Sequence, residues 1–299
     1  MPELPEVENL RQGLERAILG QKILNVEVRK PKLVSGNGTL RKASLKKVGE
    51  FERGLSGEHF IAVERRAKNL LFKFSHGKLI LIHLKMSGQF VYQANGSNKL
   101  VEGGHPIELS EKELPNKHTH VIFTLSKGTL YYNDTRMFGY LLYFPILSAL
   151  EKKNHFGLYG HEPFSKEFTL KYFAGTLKNK KGKIKAVLMD QKIVTGLGNI
   201  YADESLFEAR VRPDRPAYSL SPLESKKLYT TIIRILKRAI KVGGSSVATY
   251  RLLDATRGNY AREHKVYGKA GEKCPSCGQP LTKTVVAGRT TTFCANCQK

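Results

Sequence analysis

The 299-residue sequence is poor in cysteine: it has four, at positions 274, 277, 294 and 297, and none earlier. A disulfide framework scatters its cysteines through a small secreted domain, so none organises the bulk of this chain. Long apolar runs are also missing. No stretch approaches the ~20 residues that a membrane-spanning helix needs. Hydrophobic residues still make up 40% of the chain, an ordinary share for a globular protein with a sizeable core. Acidic residues are scarce, with 26 Asp+Glu against 50 Lys+Arg, for a formal net charge of +24. Such a surplus repels itself unless it meets a polyanion, and nucleic acid is the commonest one. The charge is spread along the chain rather than placed on one amphipathic helix, which argues against a membrane surface. The start also lacks the basic and apolar regions of a signal peptide, so a cytoplasmic protein is expected.

What cysteine there is forms a pattern. Cys274-Pro275-Ser276-Cys277 and Cys294-Ala295-Asn296-Cys297 are two CxxC pairs separated by sixteen residues. Each pair can turn two thiolates toward one ion, and the spacer is long enough for a β-hairpin. A segment with so little core of its own would depend on the metal to fold. One structural Zn2+ is therefore expected.

The periodicity changes twice. Residues 3–19 read as a helix, with Val7, Leu10, Leu14 and Ile18 on one face. From about 22 to 144, short apolar runs alternate with Gly, Ser and Asn, the pattern of a β-sandwich; examples are Phe60–Val63, Leu70–Phe74, Leu79–Ile82, Val121–Phe123 and Tyr140–Tyr143. Within this region, 94–118 is polar, carries Gly and Pro, and reads as a long surface loop. Beyond Pro145 the period is helical. Helices are expected over Lys183–Met189 and Ile200–Glu208. Ser221-Pro222-Leu223-Glu224 is a capping box opening a longer helix that ends at Gly243-Gly244 and buries Leu228, Ile232, Ile235 and Ala239. The connection Thr195-Gly196-Leu197-Gly198-Asn199 lacks the third glycine of a dinucleotide fingerprint, so a Rossmann reading fails. It remains suited to presenting amides to a phosphate.

The first eight residues, Met1-Pro2-Glu3-Leu4-Pro5-Glu6-Val7-Glu8, carry the most specific chemistry. Initiator methionine is commonly removed before a small second residue, which would leave Pro2 as a terminal secondary amine beside carboxylates. An α-amine has a pKa of about 7.7–8.0, so a useful neutral fraction exists near pH 7. Its attack on an aldehyde-level carbon gives an iminium, an electron sink for elimination.

These residues resemble the formamidopyrimidine-DNA glycosylases, and the resemblance covers nearly the whole chain. It rests on Pro2–Glu6, Arg66-Ala67-Lys68, His83–Gly88, Lys117–Val121, Asp134–Gly139, Gly196–Ala202, Val266-Tyr267-Gly268 and the terminal cysteine pairs, in that order. It implies an α+β multidomain fold: a β-sandwich with an N-terminal helix, a helical domain with a helix-two-turn-helix, and a four-cysteine zinc finger. We assign these to residues 1–144, 145–243 and 271–299, with a linker and base-covering loop over 244–270.

The resemblance also implies roles. Pro2 would attack C1′ of the damaged nucleotide, Glu3 would shuttle protons, and Glu6 would orient the N-terminal segment. Lys68 would grip a phosphate beside the lesion. Asn199 and Arg289 would hold phosphates either side of the flipped nucleotide, assisted by His83 and Tyr267, which helps meet the unstacking cost. Met86, Arg136 and Phe138 would fill the gap in the duplex. The expected activity is excision of oxidised purines from double-stranded DNA, followed by β,δ-elimination, by a monomer acting in bacterial base excision repair. Cys274, Cys277, Cys294 and Cys297 would hold the zinc.

The chain departs from the family pattern in places. Asp-Pro-Arg-Arg-Phe-Gly stands here with Thr135 and Met137, so one basic residue of the loop is missing. Gly-Pro-Glu-Pro reads Gly160-His161-Glu162-Pro163. Rival readings are an endonuclease VIII acting on oxidised pyrimidines, a catalytically silent DNA-binding protein, and an RNA-binding zinc ribbon. The last explains charge and cysteines but not the N-terminus.

Overall fold

The computed structural model describes residues 1–37, 41–97, 100–104, 113–245 and 259–299. The chain divides into two compact units, one of residues 1–155 with 243–259, the other of 156–242 with 260–299.

The first unit opens with α1 (Leu4–Ile18), then β1 (Ile23–Val28), α2 (Lys32–Ser35) and α3 (Leu45–Leu55). Eight more strands follow: β2 (Phe60–Arg66), β3 (Asn69–Phe74), β4 (Leu79–His83), β5 (Gly88–Ala94), β6 (Leu100–Gly104), β7 (Thr119–Leu125), β8 (Gly128–Asp134) and β9 (Tyr140–Phe144). The short helix α4 (Leu147–Lys152) closes the series. The strands form two antiparallel sheets, in the orders β1-β7-β8-β5-β6 and β2-β3-β4-β9. Their inner faces share one core, where the Phe72 and Phe90 rings lie 5.5 Å apart and Phe90 meets Tyr132 at 5.2 Å. The α1 stripe expected from spacing is buried, and α1 packs against β2 and β3.

Two local expectations change. The stretch 94–118 is not wholly a loop: β6 pairs along β5, from Gln89 with Gly104 to Gln93 with Leu100. The strand region is also interrupted by α3, whose start is capped by the Ser44 hydroxyl accepting the Lys47 N–H.

The second unit contains α5 (Leu170–Lys178), α6 (Ile184–Met189), α7 (Asn199–Ala209), α8 (Pro222–Lys241), α9 (Tyr260–Glu263) and a hairpin of β10 (Thr282–Val286) and β11 (Arg289–Phe293). The Ser221–Glu224 capping box forms with Pro222 in the first turn, and Leu228, Ile232, Ile235 and Ala239 are buried. Along α7 every residue from Tyr201 to Phe207 is buried, which suits a central helix packed by α6, α8 and β11. A small apolar cluster of Phe207, Val266, Cys274, Leu281 and Cys294 roots the cysteine module.

Candidate active site and nucleic-acid interface

In the first unit the chain start is drawn inward. Pro2 is buried, as are Glu3 and Glu6 at the head of α1. One Glu6 carboxylate oxygen accepts the Glu3 N–H at 2.9 Å, and the other accepts the Ser245 N–H at 2.7 Å. Ser245 in turn bridges Asn259, so this carboxylate reaches the frame around the segment 246–258. Of the expected linker and base-covering loop at 244–270, residues 246–258 lie outside the described residues. The terminal ammonium, here on Met1, is partly buried. Burial depresses its pKa below the ordinary α-amine value; Glu3 and Glu6 pull it up, and Lys68 and Arg136 push it further down. The chain terminus, two carboxylates and two cations therefore share one electrostatic neighbourhood.

Lys68 is buried in the two-residue turn between β2 and β3. Ala67, beside it, takes a left-handed conformation at φ 54°, and Arg65 donates to its carbonyl at 2.9 Å. Arg65 is itself tied to Glu8 of α1 at 3.0 Å, which fixes the Lys68 turn to the helix that carries Glu3. His83, at the end of β4, is buried and its pKa is pushed down to about 3, first by burial and then by Lys85 and Lys68. Its Nδ1 accepts the Lys85 N–H at 3.0 Å, so the neutral ring carries its proton on Nε2. His83 therefore offers an anion a neutral N–H donor rather than a charge.

Met86 and Phe138 stand 42% and 47% exposed, although such residues are usually buried. They sit on adjacent loops, β4–β5 and β8–β9, and the Arg136 guanidinium lies over the Phe138 ring at 4.7 Å. Asp134 organises this edge. Its carboxylate accepts N–H donations from Arg136 at 3.2 Å, Met137 at 3.0 Å and Gly139 at 2.7 Å, and the Ser87 hydroxyl donates to it as well. Position 139 has no room for a side chain, because a Cβ there would run into the Tyr132 hydroxyl. A cavity of about 450 Å3 opens here, lined by Lys32, Arg41, Lys85 and Arg136 with Met86, Met137 and Phe138. The Arg41 guanidinium is turned to the carbonyls of Met137 and Gly139. Lys32, Lys85 and Arg136 beside exposed apolar side chains, with no carboxylate in the lining among the described residues, suit a polyanion whose bases can stack.

In the second unit, Asn199 is the first residue of α7, after a turn in which Gln191 accepts the Gly196 N–H and donates to the Leu197 carbonyl. The Asn199 amide donates to the Thr290 carbonyl at 3.1 Å, which puts it beside Arg289, the first residue of β11. Arg289 is exposed directly after Ala287-Gly288, whose positive φ values of 49° and 70° are those of a tight hairpin turn. Lys185 of α6 also reaches this strand. Its ammonium donates to the Thr290 carbonyl at 3.1 Å and the Thr291 hydroxyl at 2.7 Å, and pairs with Asp203 at 2.7 Å. Tyr267 is fixed through its backbone: Glu204 accepts N–H bonds from Lys265, Val266 and Tyr267 at 2.9, 3.0 and 2.8 Å.

The four cysteine sulfurs all lie within 4.8 Å of one another, with Cys274–Cys297 at 3.9 Å and Cys277–Cys294 at 3.5 Å. A tetrahedral ion with Zn–S bonds of ~2.3 Å needs sulfur separations of ~3.8 Å. The residues fit one Zn2+, and a complete shell of four thiolates makes it structural.

Asp134, Arg41, Lys185, Asp203 and Glu204 belong to this architecture but were not among the residues singled out from the sequence. Asp134 had a readable signal, since aspartate before a tight turn commonly accepts the following N–H groups.

Three family models match the chain: "Formamidopyrimidine-DNA glycosylase N-terminal domain" over residues 1–141, "Formamidopyrimidine-DNA glycosylase H2TH domain" over 159–251, and "Zinc finger found in FPG and IleRS" over 271–299. A formamidopyrimidine-DNA glycosylase from Desulfitobacterium hafniense is 38% identical over 298 residues, covering 100% of both chains. Among solved structures, a mutant of Lactococcus lactis FPG in complex with Fapy-dG-containing DNA aligns with TM-score 0.84 and 35% identity, covering 100% of both chains. A MutM structure in complex with DNA containing carbocyclic 8-oxo-G aligns with TM-score 0.83 at 35% identity and the same coverage.

Proposed function

The chain belongs to the formamidopyrimidine-DNA glycosylase family, and from that premise we infer that it excises 8-oxoguanine and formamidopyrimidines from duplex DNA and then cleaves the abasic strand as a lyase. Zinc holds its terminal hairpin. The observation that carries the residue assignment is the neighbourhood shared by the chain terminus, Glu3, Glu6, Lys68 and Arg136.

Removal of Met1 frees the Pro2 nitrogen. Burial around the terminus favours the neutral amine, whose lone pair attacks C1′ as the glycosidic bond breaks and the base leaves with the bonding pair and a proton. Glu3 delivers a proton to the ring oxygen as the sugar opens, which leaves an iminium between Pro2 and C1′. Loss of a C2′ proton then expels the 3′ phosphate, and a second elimination expels the 5′ phosphate. Addition of water to the remaining iminium releases the sugar fragment as an aldehyde and restores Pro2. Glu6 holds the Glu3 backbone in place, and Lys68 and His83 receive a phosphate beside the lesion. Asn199 and Arg289, with Tyr267, receive its neighbours, while Met86, Arg136 and Phe138 occupy the vacated stack.

The modules of this reading remain the sandwich at 1–144, the helix-two-turn-helix domain at 145–243, the linker and base-covering loop at 244–270 and the zinc finger at 271–299. No helix among the described residues is long and apolar enough to cross a membrane. The reading takes the protein to be a monomer of the bacterial cytoplasm, and its net charge of +24 suits association with the nucleoid when on DNA. The test is borohydride trapping on a duplex carrying one lesion. The reduced adduct is expected on Pro2; a link mapped to Lys68 or another lysine overturns the assignment.

A further inference from the structure

The loop that carries Arg136 and Phe138 is held from both sides. Asp134 accepts the N–H groups of Arg136, Met137 and Gly139. The carbonyls of Met137 and Gly139 are taken by one guanidinium, that of Arg41, which lies in the connection between α2 and α3 and donates through both terminal nitrogens. Arg41 is 96 and 98 positions from the two residues it binds. Met137 sits at φ 53°, a left-handed conformation that costs a non-glycine residue on the order of 1 kcal/mol and persists only where the surroundings enforce it. The loop also lacks the basic residue that its sequence pattern would put at 137.

We propose that Arg41 is a positioning residue that locks the 134–139 loop in its wedge-bearing form before DNA arrives, so that Arg136 and Phe138 enter the duplex without first being ordered. This rests on the reading of Arg136 and Phe138 as the wedge. The guanidinium suits the task because its planar fork serves two carbonyls at once. Lysine, a point donor, would hold one. Arg41 acts through the loop backbone, so its loss should affect only substrates whose bases must be unstacked. Cleavage at an abasic site in single-stranded DNA needs no wedge.

Two readouts test this on the full-length, zinc-loaded protein. The first is the ratio of lesion excision from duplex to cleavage of a single-stranded abasic oligonucleotide. The second uses the absence of tryptophan from the chain: Phe138→Trp introduces a single indole whose anisotropy reports loop order without DNA. Arg41→Ala should lower the ratio by roughly tenfold or more, as expected for losing hydrogen bonds from a charged donor, and should lower the anisotropy. Arg41→Lys should fall between. Equal loss on both substrates would mean general damage and would overturn the proposal. A change in either readout without the other also overturns it: a ratio change alone makes Arg41 a direct DNA contact, and an anisotropy change alone makes loop order irrelevant. If the indole with Arg41 intact does not respond to lesion duplex, the wedge reading itself fails, and the proposal with it. The anisotropy comparison would still report whether the clamp exists.

Discussion

Glu6 and Ser245 are 239 positions apart, yet the Ser245 N–H donates to the Glu6 carboxylate at 2.7 Å. The other oxygen of the same carboxylate accepts the Glu3 N–H. One buried side chain thus joins the start of the chain to the edge of the 246–258 segment. A carboxylate suits this junction because it accepts on both sides and donates on neither.

The first prediction concerns that choice. Glu6→Gln keeps one acceptor but turns an NH2 group toward a backbone N–H. The variant should fold, because α1 keeps its apolar stripe. It should lose ~1–3 kcal/mol of transition-state stabilisation, the usual cost of an unpaired buried donor, which is about 5- to 150-fold in single-turnover excision. Rates equal to wild type would detach Glu6 from the active site.

The second prediction concerns acid. His83 falls to about 3 in the fold, against an ordinary value of 6.5. Between these values the unfolded chain binds more protons than the native one, so stability rises with pH. It is complete above 6.5 and is lost as pH falls toward 3, with a contribution of ~2 kcal/mol gone by pH 5. His264, depressed to about 4, adds a loss of the same sign. His83→Asn keeps an acceptor for the Lys85 N–H but cannot titrate. Urea unfolding at pH 7 and pH 5 should show a drop smaller by that amount in the variant; equal drops would place a charged imidazole in the native state.

Which of these features the sequence announces depends on how local their cause is. The α1 stripe and the α8 capping box lie within a few residues of themselves and are legible directly. By contrast α3 is hard to see: Gly49 and Gly54 weaken its helical signal, and of its apolar residues only Phe51 and Leu55 are buried. Cysteine spacing announces the zinc site because two turns and one hairpin close it. Glu204 reads as an ordinary helix acid, since the three N–H groups it accepts lie more than 60 positions away. Arg41 stands beside Lys42 in a polar stretch and reads as one more surface cation, and nothing near it shows that it faces carbonyls of a distant loop.

A third prediction tests how the zinc-finger hairpin is held. Lys185 and Asp203 are 0% and 1% exposed at their side chains, and Lys185 also donates to Thr290 and Thr291 of β11. Lys185→Met fills the volume but strands the buried Asp203 carboxylate, which should cost the second unit ~3–5 kcal/mol. Adding Asp203→Asn should recover part of it. A melting temperature unchanged by Lys185→Met would mean that the pair is not closed in solution.

A fourth prediction separates metal from contact. Chelating the zinc, or Cys294→Ser, should abolish lesion-DNA binding while the circular dichroism of the sandwich survives. Arg289→Ala should leave zinc content at one per chain and reduce the salt slope of binding by roughly one unit, the signature of one lost phosphate contact. His83→Asn should weaken binding without moving that slope, because its ring is neutral. An unchanged slope in Arg289→Ala would remove Arg289 from the phosphate set.

The last prediction is about which base stands opposite the lesion. Arg136 is exposed at the rim, its backbone N–H fixed by Asp134 and Ser87 and its guanidinium laid over the Phe138 ring. In the proposed reading, entry of the wedge would carry that guanidinium into the space beside the orphaned base. A guanidinium only donates, so it favours a base with acceptors on its Watson–Crick edge. Cytosine presents O2 and N3 there, whereas adenine presents N1 alone. A good bidentate contact discriminates by ~1–3 kcal/mol, so excision of 8-oxoguanine should be ~5- to 150-fold faster opposite cytosine than opposite adenine. The preference has a chemical logic. Cytosine marks an oxidised guanine not yet copied, while removal opposite adenine would fix a misincorporation as mutation. Arg136→Ala should slow excision opposite cytosine and bring the two rates together. Equal rates in the wild type would leave Arg136 no part in reading the partner base, and faster removal of oxidised pyrimidines than purines would reassign the substrate class.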